Sequence, residues 1–147
     1  MTRRQALSAT TALAITGAAA PAAADDQAVI RMLDDFAAAW NRHDVDALMA
    51  CMAADCAFET SSGPDVTGSR HVGPAAVRAA FADVFETYPD AQWNHPRHFV
   101  AGHRAVSEWT FTGTTKAGRR VEVNGCDVFT LKDGKIALKN SYRKQRA

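Results

Sequence analysis

The chain has 147 residues, with 17 Lys and Arg against 16 Asp and Glu and a formal net charge of +1. This balance argues against a nucleic-acid partner, because binding nucleic acid needs clustered Lys and Arg that displace counterions. The length suits one domain with a single core.

The first 24 residues have the pattern of an export signal. They contain the pair Arg3-Arg4, then an Ala-rich, weakly apolar run without acids, then three alanines before Asp25. The Arg pair and the moderate hydrophobicity resemble a twin-arginine signal cleaved among those alanines. We therefore expect a periplasmic or secreted mature domain at residues 25–147. A buried first helix is the alternative, but such a helix would rarely lack a polar stripe.

The mature segment shows no membrane span and no charge excess. Without Arg3 and Arg4, the 17 basic residues fall by two and leave about one net negative charge. No later run approaches the length of a transmembrane helix, so no membrane association is expected of the mature form.

Three helices are predicted before residue 90. Apolar residues recur at helical spacing after Asp26, so an amphipathic helix capped by Asp25 or Asp26 should end near Asn41. Asp44 should cap a second, shorter helix. Gly73-Pro74 should begin the third. The predicted inward residues of the three helices are Val29, Leu33, Phe36, Ala37, Trp40, Leu48, Met49, Met52, Val77, Phe81, Val84 and Phe85.

The rest of the chain is predicted to be strands and turns. A short strand at 56–60 precedes a loop at 61–72 that is rich in Gly, Ser and Pro. Four longer strands follow, at 92–100, 105–115, 119–131 and 135–143. Their connections at Gly102, Gly118 and Gly134 are short, which favours antiparallel neighbours. Helices followed by a meander indicate an α+β fold.

The cysteines and histidines do not form a metal or redox motif. Cys51, Cys56 and Cys126 are odd in number and lack the CxxC spacing, so we interpret them as small core residues. A Cys51-Cys56 disulfide after export is a lesser alternative. His95 and His98 are three apart on a predicted strand and would face opposite sides, which makes them a poor metal pair and favours surface positions.

We expect no functional role for the other histidines or for the aromatic residues of the sheet. Residues at helix ends or turns are expected to be solvated: His43, His71 and His103. Aromatic residues of the long strands are expected in the sheet core or in a subunit interface: Trp93, Trp109 and Phe111.

The pair Asp133-Gly134 predicts a β-hairpin near the C-terminus. A two-residue loop would place Asp127 opposite Asn140, whereas a three-residue loop would place it opposite Lys139. The sequence alone does not choose between these registers. The second register is energetically more favourable, because opposite charges that face each other on a half-buried surface form an ion pair. We therefore expect Asp127 to point into the pocket and to contact Lys139.

Three segments together resemble a known superfamily: FAAAWNRHDVDALMACMAADCAFE, VGPAAVRAAF and GCDVFTLKDGKIALKNSYRK. They are similar to the nuclear transport factor 2-like superfamily, which includes ketosteroid isomerases and SnoaL-like polyketide cyclases. The resemblance covers nearly the whole mature chain. It implies a cone-shaped fold, in which a curved, largely antiparallel sheet wraps a long first helix and leaves a deep apolar pocket. Isomerases, dehydratases, cyclases, hydrolases and non-catalytic binders share this scaffold.

The resemblance also argues against steroid isomerisation. It places Phe36 at the oxyanion-hole Tyr of the isomerases, Thr60 at their general base, and Asp127 at their hydrogen-bonding acid. Phe has no donor, and a Thr hydroxyl is too weak a base to remove a proton from carbon. The acid on the last strand of cyclases and epoxide hydrolases falls near Ser141, so those chemistries lack their acid as well.

By the same alignment, Glu108, Thr110 and Lys139 face the pocket. Glu108, Asp127 and Lys139 would form a charged cluster, in which two acids sharing one Lys would have shifted pKa values. The predicted catalytic residues are therefore Asp127 and Glu108 as acid and base, with Lys139 as their electrostatic partner. The alternative is an ion pair that only fixes strand register. The predicted substrate-binding residues are Phe36, Trp40, Thr60, Thr110, Phe129 and Ser141.

Two classes of function are consistent with this sequence. The first is a cofactor-independent lyase or isomerase that acts on a small apolar molecule. The second is a non-catalytic binding or assembly module of the same fold. In either case we expect a homodimer through the outer face of the sheet, since the strands carry apolar residues on both faces and relatives often pair this way.

Overall fold

A computed structural model of the chain describes residues 22–146. The predicted export signal lies outside this range except for its last three residues, which belong to the first helix. The described part has three helices: α1 (Ala22–Asn41), α2 (Val45–Ala50) and α3 (Pro74–Thr87).

The starts of the helices follow the predicted signals with one exception. The end of α2 differs as well, since this helix stops at Ala50 and Met52, predicted to lie on it, belongs to the first strand. Asp44 caps α2 by accepting a hydrogen bond at Oδ1 from the Ala47 amide over 2.9 Å, and α3 begins at Pro74 as predicted. Asp25 lies inside the first turn of α1 and does not cap it, because the helix is already formed at Ala22. No helix among residues 22–146 is long and apolar enough to cross a membrane.

The described strands form one open, mixed sheet. They are β1 (Met52–Glu59), β2 (Arg70–Val72), β3 (Gln92–Ala101), β4 (Arg104–Thr114), β5 (Arg120–Lys132) and β6 (Lys135–Arg143). Their order is β2-β1-β6-β5-β4-β3, and β1 runs parallel to β6 while the other pairs are antiparallel. The strand β2 corrects the prediction of a loop over 61–72, since three residues are too few to show alternation.

The helices cover one face of the sheet, which is the concave face. Leu33, Phe36 and Trp40 of α1 are all buried there, as their helical spacing predicts. The ring of Phe36 packs edge-on against Phe81 of α3 and Phe129 of β5. This α+β arrangement matches the predicted cone, with the core lying between α1, α3 and the sheet.

The β5–β6 hairpin differs from both predicted registers. Asp133 (φ 50°) and Gly134 (φ 72°) form a two-residue loop, which is the turn type with positive φ at both positions. Leu131 lies opposite Ile136 and Thr130 opposite Leu138, so Ala137 is an extra residue in β6.

This bulge reverses the alternation of β6 beyond it. Phe129 therefore lies opposite Lys139, and Asp127 lies opposite Ser141. A regular two-residue hairpin would have placed Asn140 opposite Asp127 and turned Lys139 to the outer face. Because of the bulge at Ala137, Lys139 and Ser141 share the concave face with Asp127.

The cysteines are free thiols in this structure. Cys51 and Cys56 are buried core residues, as predicted, and burial raises the pKa of both thiols. Cys126 differs, since it is half-buried and lies beside Glu108 on the opposite, outer face of the sheet.

Candidate ligand cavity and charged cluster

The centre of the candidate site is a buried ion pair. Lys139 Nζ lies 2.6 Å from Asp127 Oδ1, and each residue is 4% exposed. The predicted contact is therefore present, but its predicted geometry is wrong, because the two residues are diagonal neighbours across the hairpin. Diagonal neighbours on one face remain within reach of a side chain as long as Lys.

Two further groups complete a hydrogen-bonded cluster around Asp127. Trp109 Nε1 donates to Asp127 Oδ2 over 3.0 Å, and Ser141 Oγ donates to Oδ1 over 2.6 Å. Lys139 Nζ also donates to Ser141 Oγ over 2.6 Å. The carboxylate thus accepts from three side chains on the two neighbouring strands β4 and β6, which fixes the position of each of them.

Aromatic rings surround the ammonium group of Lys139. Its Nζ lies 4.7 Å from the centre of the Phe58 ring and 5.4 Å from that of Trp40, within the range of cation–π attraction. Burial lowers the pKa of Lys139, the carboxylate of Asp127 opposes this shift, and the positive charge of Arg143 adds to it. The positive charge is therefore held by one carboxylate and two aromatic faces.

This cluster borders a cavity of about 410 Å³, a volume typical of small-molecule sites. The cavity lies between α1, α3 and the concave face of the sheet. Its aromatic walls are Trp40, Phe58, Tyr88, Trp93 and Trp109, and its polar lining includes Thr60, Ser61, Ser62, Ser69, His71, Asp83, Lys139, Ser141 and Arg143. Trp93 and Trp109 thus face the cavity as well as the core.

The predicted site residues divide into those that line the cavity and those that lie behind it. Lys139, Ser141, Trp40 and Thr60 line it. The Thr60 hydroxyl is used in the adjacent loop, where it donates to the Ser62 carbonyl over 2.6 Å. Three predicted residues are buried beneath the lining and do not reach the cavity: Phe36, Asp127 and Phe129. Asp127 therefore acts on a ligand only through the lining residues that it contacts, which are Lys139, Ser141 and Trp109.

The prediction that Glu108 and Thr110 face the pocket is wrong. Glu108 forms an ion pair with Arg97 on the outer face, at 2.6 Å, and Thr110 donates to Asn124 Oδ1 over 2.9 Å. The alternation of β4 turns Trp109 towards the helices, so its neighbours at 108 and 110 point away. Glu108 and Thr110 line an open outer groove of about 820 Å³, which is larger than the cavity and shares Trp109 and Arg143 with it, but which Asp127 and Lys139 do not line. The cluster therefore contains one acid instead of the predicted two.

Sequence reasoning missed Arg143, which lines the cavity beside Lys139. Its guanidinium carbon lies 4.0 Å from the centre of the Phe111 ring and 5.8 Å from that of Trp109. Burial lowers the pKa of Arg143, and its Nε is buried without a hydrogen-bond partner. Strand alternation could have revealed this position, because residues 139, 141 and 143 lie on one face of β6 beyond the bulge.

His71 was expected to be solvated, but it is half-buried and lines the cavity. Phe58 lies opposite His71 on β2 and opposite Lys139 on β6. Since neighbouring strands are about 4.8 Å apart, the backbones of His71 and Lys139 are separated by roughly 10 Å. The imidazole stacks against Phe58 with ring centres 6.0 Å apart. A ligand lying on Phe58 would therefore have His71 on one side and Lys139 on the other.

His98 is not at the surface either, since its side chain is 5% exposed. Its Nδ1 lies 2.7 Å from Ser107 Oγ, and its Nε2 lies 3.2 Å from Asp34 Oδ1 without hydrogen-bond alignment. These residue types match a hydrolase triad, but Ser107 is buried. The set therefore ties α1 to the sheet. His95 is exposed, as predicted.

Another expected surface residue, His43, is also half-buried. Its Nε2 lies 2.9 Å from the Ala91 carbonyl oxygen, and its ring stacks on Phe85 at 4.3 Å between ring centres. This histidine joins the end of α1 to the start of β3 and does not reach the cavity.

Comparisons with known proteins agree with this architecture. The family model of the SnoaL-like domain matches residues 33–139. A candidate polyketide cyclase from Xanthomonas campestris pv. campestris is 23% identical with a TM-score of 0.73, over 82% of this chain and 93% of that one. A nuclear transport factor 2-like protein of unknown function from Mesorhizobium loti is 26% identical, with a TM-score of 0.67 over 81% and 93% of the two chains.

A third solved structure is Bal32a, from a soil-derived mobile gene cassette. It is 18% identical, with a TM-score of 0.73 over 82% of this chain and 92% of that one. No curated protein matches the sequence significantly. Structural likeness at these identities concerns the fold, whereas the family match rests on the sequence across more than half of the chain. The chain belongs to the SnoaL-like domain family.

Proposed function

We propose that this protein binds a small, largely apolar molecule in the concave cavity and catalyses proton transfer of the lyase or isomerase type on it. The observation that carries this proposal is the buried ammonium of Lys139, which lines an aromatic cavity while Asp127 and Ser141 hold it in place. Preorganised charge in a water-poor site is the usual source of stabilisation for a developing oxyanion.

Lys139 is proposed to stabilise negative charge on the substrate. Its ammonium has three N–H donors, of which two are used by Asp127 and Ser141. The third is free for a carbonyl oxygen of the substrate, which becomes negative when a neighbouring carbon loses a proton. Asp127 is then a positioning residue, which replaces the predicted role of Asp127 and Glu108 as acid and base.

His71 is proposed as the base that removes the carbon-bound proton. It is the histidine among the side chains that line the cavity, and histidine is the residue type most often used as a general base. Return of this proton to a different carbon gives isomerisation, and loss of a leaving group from the enolate gives elimination. Both outcomes balance without an external oxidant or reductant.

The test is hydrogen–deuterium exchange in D2O, followed by NMR, with one neutral and one anionic probe. The probes are 2-tetralone and phenylpyruvate, which carry exchangeable C–H groups beside a carbonyl. We expect exchange above the buffer rate, with a loss of about 100-fold or more in His71→Gln, since general bases contribute about that much. The matched control is His103→Gln, an exposed histidine that should leave the rate unchanged.

Non-catalytic binding is the second candidate function. It is favoured by the saturation of Asp127, whose carboxylate already accepts from three donors and does not line the cavity. Binding of either probe, seen as a change in tryptophan fluorescence, without exchange in the wild-type protein would favour this candidate over the enzyme.

We also propose that the protein is exported through a twin-arginine signal, which is supported by the Arg3-Arg4 pair and the Ala-rich run that follows it. Replacing this pair with Lys-Lys should block processing and retain the precursor in the cytoplasm. Undiminished processing of the Lys-Lys variant would contradict the twin-arginine assignment.

A further inference from the structure

We propose that the ligand of the concave cavity is a small aromatic carboxylate, with its ring between the aromatic walls and its anionic group on Arg143, which leaves the free donor of Lys139 for the carbonyl oxygen of the substrate. This inference rests on the proposed function and narrows its substrate class. It is carried by four observations, which concern the charges of the cavity, the unpartnered donors, the aromatic walls and the entrance to the cavity.

The buried charges of the cavity do not balance. The buried Lys139 and the half-buried Arg143 both line it, and Asp127 is the buried acid that contacts Lys139. Asp83 also lines the cavity, but its side chain is exposed to water. Arg143 has no ion-pair partner among the described residues. A guanidinium taken out of water is costly unless it is paired. One negative charge is therefore missing, which suits a carboxylate better than a doubly charged phosphate.

The unpartnered donors also call for an acceptor. In the described part of the chain, Arg143 Nε and Trp40 Nε1 are buried without a hydrogen-bond partner, and both side chains line the cavity. Buried polar groups are normally satisfied, so orphaned donors at a cavity wall indicate a missing acceptor. A carboxylate fits, because it accepts through two oxygens and matches the planar fork of Arg.

The aromatic walls of the cavity indicate the chemical nature of the uncharged part of the ligand. Trp40, Phe58, Tyr88, Trp93 and Trp109 surround the space next to the two cations. Planar rings pack on such walls in stacked or edge-to-face arrangements at little entropic cost. An aromatic body with one acidic substituent therefore matches both parts of the cavity.

A groove next to the cavity, which we interpret as its entrance, also favours anionic ligands. A surface groove of about 580 Å³ adjoins the cavity and shares Ser61, Ser62, Tyr88 and Arg143 with it. Its remaining charged side chains are four cations and one acid: Arg119, Arg120, Lys144, Arg146 and Glu122. A cleft lined mostly by one sign of charge concentrates ligands of the opposite sign and raises their association rate. Anionic molecules are thus favoured before they reach Arg143.

The test compares 2-naphthoate with its neutral isostere 2-naphthamide by isothermal titration calorimetry. We expect the carboxylate to bind the wild-type protein about tenfold more tightly or better, since a hydrogen bond to a charged group contributes on that scale. Arg143→Met should remove this preference and leave the naphthamide Kd within about twofold. The matched control is Arg104→Met, which removes an exposed cation at the first residue of β4, outside the cavity lining.

Two further variants test the contact that Arg143 makes with the ligand and the charge of the entrance groove. Arg143→Lys keeps the charge but loses the two-pronged contact, so its naphthoate Kd should lie between those of the wild-type and Met proteins. Arg120→Met should lower the association rate of naphthoate and weaken its salt dependence, with little change in dissociation.

Equal affinity for naphthoate and naphthamide would overturn the carboxylate inference and leave the proposed pocket function standing. The same holds if folded Arg143→Met binds naphthoate as the wild type does. Failure of the wild-type protein to bind either compound would also overturn the carboxylate inference, whereas the proposed function is decided separately by the exchange of 2-tetralone protons.

Discussion

Lys139 and Asp127 are in contact because a bulge at Ala137 places them on one face, although neither residue lies opposite the other. Phe129 is opposite Lys139, and Ser141 is opposite Asp127. Ser141 Oγ therefore lies between carboxylate and ammonium, bonded to both at 2.6 Å. The insertion of one residue thus brings Lys139 and Ser141 to the same face as Asp127, where the cluster presents both of them to the cavity.

The first prediction concerns the stability of this pair. Lys139→Met should lower the free energy of unfolding by about 3 kcal/mol, because removal of one partner leaves the other charge buried. The double variant with Asp127→Asn should regain much of this loss, since no unpaired charge remains. Urea denaturation with a double-mutant cycle measures both effects.

The control for this prediction is Lys132→Met, which breaks the exposed ion pair with Asp55 at 2.6 Å. Exposed pairs contribute little, so its denaturation midpoint should barely change. If Lys139→Met behaved like Lys132→Met, the buried pair would have no special role in stability.

The second prediction concerns pH. Burial lowers the pKa of His98, and the charge of Asp34 opposes this only in part. The folded protein therefore binds a proton at His98 less readily than the unfolded chain, whose histidine has a pKa of about 6.5. The resulting stability is present above about pH 6.5 and is lost as the pH falls through the lowered folded pKa.

Denaturation at successive pH values from about 7.5 to 5 should thus show falling stability in the wild-type protein. His98→Gln should flatten this part of the curve, while His103→Gln, which changes an exposed histidine, should not. An unchanged slope in His98→Gln would show that other groups cause the pH dependence.

The fold was largely predictable because its signals are local. The helical spacing of Leu33, Phe36 and Trp40 predicted α1, and the pair Asp133-Gly134 predicted the hairpin. The bulge at Ala137 was not predictable, since an alanine in a strand has no distinctive signature. The face on which Arg143 lies follows from strand alternation, but an arginine near the C-terminus is most simply interpreted as solvated, so this residue was missed.

The error at β4 had a different origin. Alignment with distant isomerases placed Glu108 and Thr110 inward, whereas the strand's own alternation places the aromatic Trp109 and Phe111 inward and the polar residues outward. Apolar residues on the covered face and polar residues on the other face are the energetic rule for a sheet covered on one side. In this strand, local patterning was a better guide than homology at low identity.

The third prediction is a homodimer through the outer face of the sheet. No helix in the described range covers this face, and Tyr142 projects from it with 53% exposure beside the outer groove. Light scattering at micromolar concentration should give twice the monomer mass, and Tyr142→Asp should reduce it, because a charge would be buried at the contact. Val66→Asp, at a fully exposed site in the loop before β2, is the control that should stay dimeric. A monomeric wild-type protein would contradict this prediction.

The last prediction concerns Gly125, which lies opposite Trp109 in the sheet. A Cβ at this position would overlap the Trp109 ring and the Tyr142 carbonyl. Gly125→Ala should therefore displace the indole, break its 3.0 Å hydrogen bond to Asp127 and lower the free energy of unfolding by about 1–3 kcal/mol, the usual cost of overpacking. Near-ultraviolet circular dichroism should change with it, because Trp109 lines the cavity wall. The neighbouring substitution Asn124→Ala, at an exposed side chain, should leave the spectrum as it is. If Gly125→Ala retained both the wild-type spectrum and the wild-type stability, the close approach of Gly125 would not be what holds Trp109 against Asp127.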